Sequence, residues 1–308
     1  MKHFYIFALL AALSNTAFAQ NYWQQEVNYT IKVKLNDKHH TLSAFEEFEY
    51  INNSPNSLDS IYIHLWPNAY RNGKTALGKQ KYTSGEMELA FGEEKNKGGI
   101  DSLDFRVNGK TVKWTYDKKH IDICVLYLPE TLQSGGRISV STPFKVKIPS
   151  GEISRLGHID QSYQITQWYP KPAVYDKNGW HPIPYLNQGE FYSEFGSFDV
   201  TITLPENYVV GATGDLQTVT EMEFLTALAE KTSKEIPSML TNTKKETTAF
   251  PTSSSVYKTI RYTQDRVHDF AWFADKRYAA LKGEVTLPVS KRKVTSWALF
   301  VPQNAANW

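Results

Sequence analysis

The sequence predicts a mainly β protein of antiparallel sheets, sandwich-like, carrying one short helix and one long mobile insertion. Three observations predict it. Apolar and polar residues alternate far more often than they recur at helical spacing. Gly and Pro turn signals fall at short intervals. Aromatic residues make up 14% of the 308-residue chain, which supplies bulk for a substantial β core.

The elements follow in order. Met1–Ala19 reads as a secretory leader: Lys2 and His3 are polar, Phe4–Leu13 is apolar, and Ala17-Phe18-Ala19 gives a small-x-small cleavage site. That apolar run is too short to span a bilayer, so the mature chain is expected to be exported, to a periplasmic or extracellular location. Val27, Tyr29, Ile31, Val33 and Leu35 alternate with polar neighbours, and Asn36-Asp37-Lys38 turns the chain. Phe45–Ile51 returns with mixed spacing that points to a bulge. Ile61, Ile63 and Leu65 form the next strand. Residues 70–99 are charged and weakly periodic, an excursion with room for a short helix.

Leu103–Val107 leads through Asn108-Gly109, a primed hairpin turn, into Thr111–Tyr116. Ile121–Leu128, Arg137–Ser141 and Phe144–Ile148 follow. In Ser197–Leu204 the residues Phe198, Val200, Ile202 and Leu204 point one way, and Asp199, Thr201 and Thr203 the other. Tyr208–Gly211 comes next. Thr220 and Glu223 form a capping box, and Met222, Leu225, Leu228 and Ala229 share a helix face. Residues 231–254, rich in Lys, Thr and Ser with Pro237 and Pro251, read as the insertion. Ser255–Gln264, Asp269–Phe273, Leu281–Leu287 and Val294–Val301 complete the strands.

Bulk properties narrow the function. The formal charge is only +2, with Lys and Arg scattered, so a polyanionic partner such as nucleic acid is not expected. The single cysteine, Cys124, lies in an apolar strand and reads as a core residue, not a nucleophile. Glu46-Glu47 and Glu93-Glu94 are neighbours on segments that read as solvated. Ser150 and Ser154 lack the nucleophile-elbow form. His158, His181 and Glu190 share a loop-rich stretch but match no metal-ligand spacing, and read as structural.

The richest stretch is Tyr163–Asp215. QWYPKPAVYD (Gln167–Asp176), GEFYSEFGSFDVTITLP (Gly189–Pro205), YVVGATGD (Tyr208–Asp215) and VHDFAWFAD (Val267–Asp275) resemble the N-terminal β-domain of the aminopeptidase N family of zinc metallopeptidases, the gluzincins. The likeness runs from about Asn21 to the end of the chain. It implies a twisted saddle of large and small sheets over residues 20–308. It also implies that zinc belongs to a catalytic domain not included here, the expected partner of this one.

The chain's own histidines agree with that expectation. A zinc peptidase of this kind needs HExxH on a helix, two His as ligands and the Glu as base, and none of the eight histidines stands in that spacing. Gly85-Glu86-Met87-Glu88 is similar to the family's exopeptidase loop for four letters, but Leu89 replaces its Asn. The chain stops after Pro302–Trp308, about where the family's catalytic domain begins, which reads as a truncated or split product. No catalytic residue and no metal ligand is therefore expected in this chain.

The resemblance further implies that a loop of this domain offers a Gln or Glu to a peptide substrate's free amino terminus. By position the candidates are Gln161, Gln164 and Gln167, with Gln164 first. If Tyr163–Tyr169 is extended, Gln164 and Gln167 face opposite sides, so at most one points inward. Here Lys171-Pro172 stands where the commoner family pattern has Cys and Asp. An alternative reading is a stand-alone interaction module that binds glycan or protein through Trp168, Tyr169, Tyr175, Trp180 and Tyr185. Aromatics interleaved with Pro more often pack a loop onto a sheet.

Overall fold

A computed structural model describes residues 22–189, 191–241 and 249–307. The leader read at residues 1–19, Glu190, the stretch 242–248 of the expected insertion and Trp308 lie outside the described residues. The molecule is mainly β, as its alternation predicts.

Alternation builds the main sheet. In the strand Glu26–Asn36 the side chains of Val27, Tyr29, Ile31, Val33 and Leu35 are buried, and their neighbours face out. Thr41–Ile51 pairs antiparallel beside it and in turn pairs with Arg137–Lys147. On the other side runs Gly196–Pro205, and there the pairing is parallel. Tyr257–Val267 then pairs antiparallel with Gly196–Pro205. A parallel pair needs a long crossover. Here residues 37–195 supply it, a topology that local periodicity does not encode.

Two four-stranded sheets complete the framework. One holds Gly157–Ile159, Ser162–Ile165, Trp272–Asp275 and Val209–Ala212. The other holds Lys171–Pro172, Leu58–His64, Ile123–Leu132 and Trp114–Tyr116. Apolar residues of all three sheets form one continuous core. Two glycine-dependent features match their positions. Asn108 and Gly109 take positive φ of 49° and 77°, the primed turn expected between Arg106–Val107 and Lys110–Thr111. At Gly196 a Cβ would lie 1.7 Å from the Val27 carbonyl oxygen, so only glycine lets the two strands converge there.

Two expectations are corrected. Thr41–Ile51 keeps register with both neighbours throughout, so the bulge expected at Phe45–Ile51 is absent. Leu42, Glu46, Phe48 and Tyr50 point inward while Phe45 is exposed. The irregular spacing is a carboxylate in a core position. Glu46, read as solvated, is fully buried.

The helix is also longer than expected, Val219–Thr241. Glu221, Leu225, Ala229 and Thr232 form its buried face, and Ile236 and Met239 extend that face onto Ala279, Phe300 and Ala305. Residues 231–241, read as the start of an insertion, are thus helical. Their polar residues lie outside, and Pro237 sits exposed in the last turns. The excursion after Tyr70 contains two short helices, Ala76–Thr83 and Glu88–Phe91, the first capped by the Thr75 hydroxyl accepting from Gly78 N at 3.0 Å. Among the described residues no helix is long and apolar enough to cross a membrane.

Candidate functional site

Antiparallel pairing of Ser162–Ile165 with Trp272–Asp275 sets the end of one strand beside the start of the other. The loops beyond those ends, Gln167–Pro172 and His268–Ala271, are therefore neighbours. Gln167 takes a positive φ of 48°, which ends the extended run at Ile165 and swings Trp168–Lys171 inward. Asp269 receives them. Its carboxylate accepts from Tyr169 OH at 2.8 Å, Gln167 Nε2 at 2.9 Å and the Phe270 backbone N–H at 2.9 Å. Trp168 Nε1 donates to the Phe270 carbonyl at 3.0 Å.

Lys171 completes the node. Its Nζ stands 3.2 Å from Asp269 Oδ1, in ion-pair range without hydrogen-bond geometry, and lies over the rings of Trp66 and Tyr169. Burial raises the cost of the Asp269 charge, but Lys171 and the donated hydrogen bonds outweigh it and hold the carboxyl below its ordinary range. Burial also lowers Lys171, with Asp269 opposing. A side chain only 3% exposed offers no face to a substrate, so this node is a fastening.

The three glutamines have different surroundings. Gln167 is 8% exposed; its Nε2 is committed to Asp269, and its Oε1 is buried without a partner. Gln161 joins a polar cluster, accepting from Lys276 Nζ at 2.5 Å and donating to Asp37 and Ser253 at 3.4 Å. Of the three, Gln164 alone borders a large cleft of about 1230 Å³. Val210, Ala212 and Phe273 of the small sheet form one wall; Trp297 and Leu299 of the hairpin Ala279–Thr286/Lys293–Phe300 form another; Met222 and Leu225 of the long helix border it too. Gln164 Nε2 donates to the Gly151 and Ser154 carbonyls, both at 3.3 Å, which commits the amide nitrogen and leaves Oε1 as the side chain's remaining acceptor.

The remaining candidates resolve into structural roles. Cys124 is fully buried, and burial pushes its thiol up, away from a reactive thiolate. His158 stacks on His40 with ring centroids 3.7 Å apart, whereas His181 pairs with Asp176 at 2.7 Å. The structure does not bring the two together, and Glu190 is outside the described residues. Ser154 Oγ is hydrogen-bonded to Tyr185 OH and Asn187. Glu47, Glu93 and Glu94 are exposed. Of the aromatic cluster, Trp168, Tyr169 and Tyr185 are buried, so those rings pack the loop and present no binding platform.

Zinc does not fit the donors present: among the described residues no group of three or more His, Cys, Asp or Glu is placed to hold a metal ion. The sequence alone singles out neither Asp269 nor Glu194, and it places Glu46 at the surface. Asp269 had a signal, its place inside the VHDFAWFAD motif. Glu194 likewise lies inside the GEFYSEFGSFDVTITLP motif, but in its irregular part, where no periodicity marks it as buried.

Comparison with known proteins gives fold neighbours only. No protein-family model and no curated protein sequence matches the chain. Among solved structures, it is similar to an M1 zinc metallopeptidase from Deinococcus radiodurans at 12% identity and TM-score 0.48, covering 89% of this chain and 47% of that one. A mutant of the same enzyme gives TM-score 0.49 at 12% identity, with 90% and 47% covered. The mutant bound to a Tyr-Ser-Ala substrate gives 0.48 at 12% identity over the same shares. The chain spans about half the length of the solved structures it matches.

Proposed function

We propose that this chain is the N-terminal, non-catalytic β-domain of an exported aminopeptidase N-like zinc metallopeptidase. Its partner is a catalytic domain that carries zinc in an HExxH site and removes residues from peptide N-termini. The domain covers one side of the substrate cleft, and Gln164 offers its side-chain oxygen to the protonated amino end.

One observation carries the reading. QWYPKPAVYD and VHDFAWFAD, two of the segments behind the resemblance, lie about a hundred residues apart and meet at a single buried node around Asp269. The two segments are thus parts of one framework. The Gln164 assignment is supported by position: of the three glutamines it alone borders the large cleft, with its amide nitrogen already committed.

The test is a substitution in the protein joined to its catalytic domain. Gln164→Ala is expected to raise KM for aminoacyl anilides about tenfold, the loss of one hydrogen bond to a charged group, with kcat less affected. Gln161→Ala and Gln167→Ala should leave KM unchanged. A Gln164→Ala enzyme with unaltered KM would remove the residue from the proposal.

A further inference from the structure

On the face formed by the chain's first described residues lies a second, separate cavity of about 560 Å³. It shares no lining residue with the Gln164 cleft. Its walls come from four distant segments: Trp23 at the start, Tyr175 in the hairpin Val174–Asp176/Gly179–His181, Tyr192 with Phe195 ahead of the strand Gly196–Pro205, and His268. Trp23 and Tyr175 stack with centroids 5.8 Å apart, and Phe195 stacks on His268 at 5.4 Å.

Set among these rings is one carboxylate. Glu194 is 4% exposed; its Oε1 accepts from the Tyr175 backbone N–H at 3.1 Å, while its Oε2 makes no hydrogen bond of ordinary geometry, with the Gln24 side chain close enough to favour the charged form. Among the described residues no Lys or Arg forms an ion pair with it, and Lys177 of the lining lies exposed. Asp176, the other acid of the lining, is already engaged by His181 and Tyr192 OH. A buried acceptor without a donor is costly, and aromatic faces attract cations. Both deficits are met by one kind of ligand.

We propose that this pocket binds a small organic cation bearing N–H donors, an alkyl- or arylalkylammonium, with Glu194 as counter-charge and Trp23, Tyr175, Tyr192, Phe195 and His268 as its walls. The proposal stands independently of the peptidase reading. The cation places an N–H on Glu194 Oε2 and its carbon skeleton between the rings. Burial pushes the Glu194 carboxyl up to about 7, so a bound cation must hold it ionised and affinity should rise with pH through that value. The other titratable groups of the lining, Asp176, Lys177, Tyr22, Tyr192 and His268, stand around this carboxylate.

Calorimetry on the full chain with phenethylammonium, and with the matching alcohol as neutral control, tests it. Saturable binding of the amine is expected, with the alcohol at least about tenfold weaker. Glu194→Gln, which keeps shape and removes charge, should abolish that preference. Trp23→Ala, at a partly exposed position, should weaken the amine severalfold while leaving the melting curve intact, and serves if Glu194→Gln proves unstable. Equal affinity for amine and alcohol, no saturable binding of the amine, or undiminished amine binding by Glu194→Gln and Trp23→Ala would each overturn the proposal.

Discussion

Asp269 and Glu46 are carboxylates of the same core, and Tyr29 and Tyr169 lie within electrostatic reach of both. Yet they differ in every other respect. Asp269 gathers Tyr169, Gln167, Lys171 and a backbone N–H, and its carboxyl is held below the ordinary range. Glu46 has no hydrogen bond to either oxygen, and burial alone drives its carboxyl well above that range. Burial therefore does not decide whether a carboxylate stays charged; the donors supplied with it do. Asp269 binds two distant segments together as an anion, whereas burial disfavours the charged form of Glu46 on a strand that would accept an apolar residue. Glu194 stands between them, with one oxygen satisfied and one not.

The largest expected effect breaks the first member of the pair. Asp269→Ala leaves Lys171, Tyr169 and Gln167 without their acceptor and should cost about 3–5 kcal/mol in urea unfolding. A loss under about 1 kcal/mol would show that the node is not the fastening described.

Next comes the intermediate case. Glu194 keeps its proton to about pH 7 in the fold, against an ordinary value of 4.5. Its contribution is therefore complete below about pH 4.5 and is lost as pH rises through 7. The native chain should lose about 3 kcal/mol relative to Glu194→Gln between pH 4.5 and 8. Taking the difference between the two proteins cancels His64, which burial pushes down to about 3 and which opposes the trend by destabilising the fold below its ordinary 6.5. A constant difference across pH would contradict the assignment.

The second member of the pair is broken in the opposite sense. Glu46→Leu should stabilise the chain by about 1–3 kcal/mol, because it replaces an unpartnered polar group in an apolar setting. Destabilisation would mean that Glu46 has a partner. The smallest effect sharpens the comparison from within the Asp269 node: Gln167→Ala removes one of several donors and should cost about 1.5 kcal/mol, well short of Asp269→Ala.

The same contrast explains how much was legible in the sequence. Strands such as Glu26–Asn36 and Gly196–Pro205 declare themselves because every second residue is apolar. Glu46 hid because a charged letter in an inward position imitates a break in register, which suggested a bulge where pairing is continuous. The end of the long helix hid for a related reason. Pro237 and the polar residues around it read as an insertion, and beyond Thr232 only Ile236 and Met239 preserve the apolar helical spacing. Of the candidate site, the segments were visible as motifs, but their meeting at Asp269 depends on strand pairing across the chain. The Glu194 pocket was invisible: Trp23 and Tyr192 lie far apart in sequence, and nothing periodic joins them.

The most direct test of the account is the zinc-dependent hydrolysis of an aminoacyl anilide by this chain alone, and by the same chain continued through the coding sequence that follows Trp308. The account predicts no turnover from the chain alone and zinc-dependent turnover once an HExxH domain is attached. Zinc-dependent activity of the isolated chain, or a continuation that encodes no metallopeptidase domain and gains no activity, would contradict it.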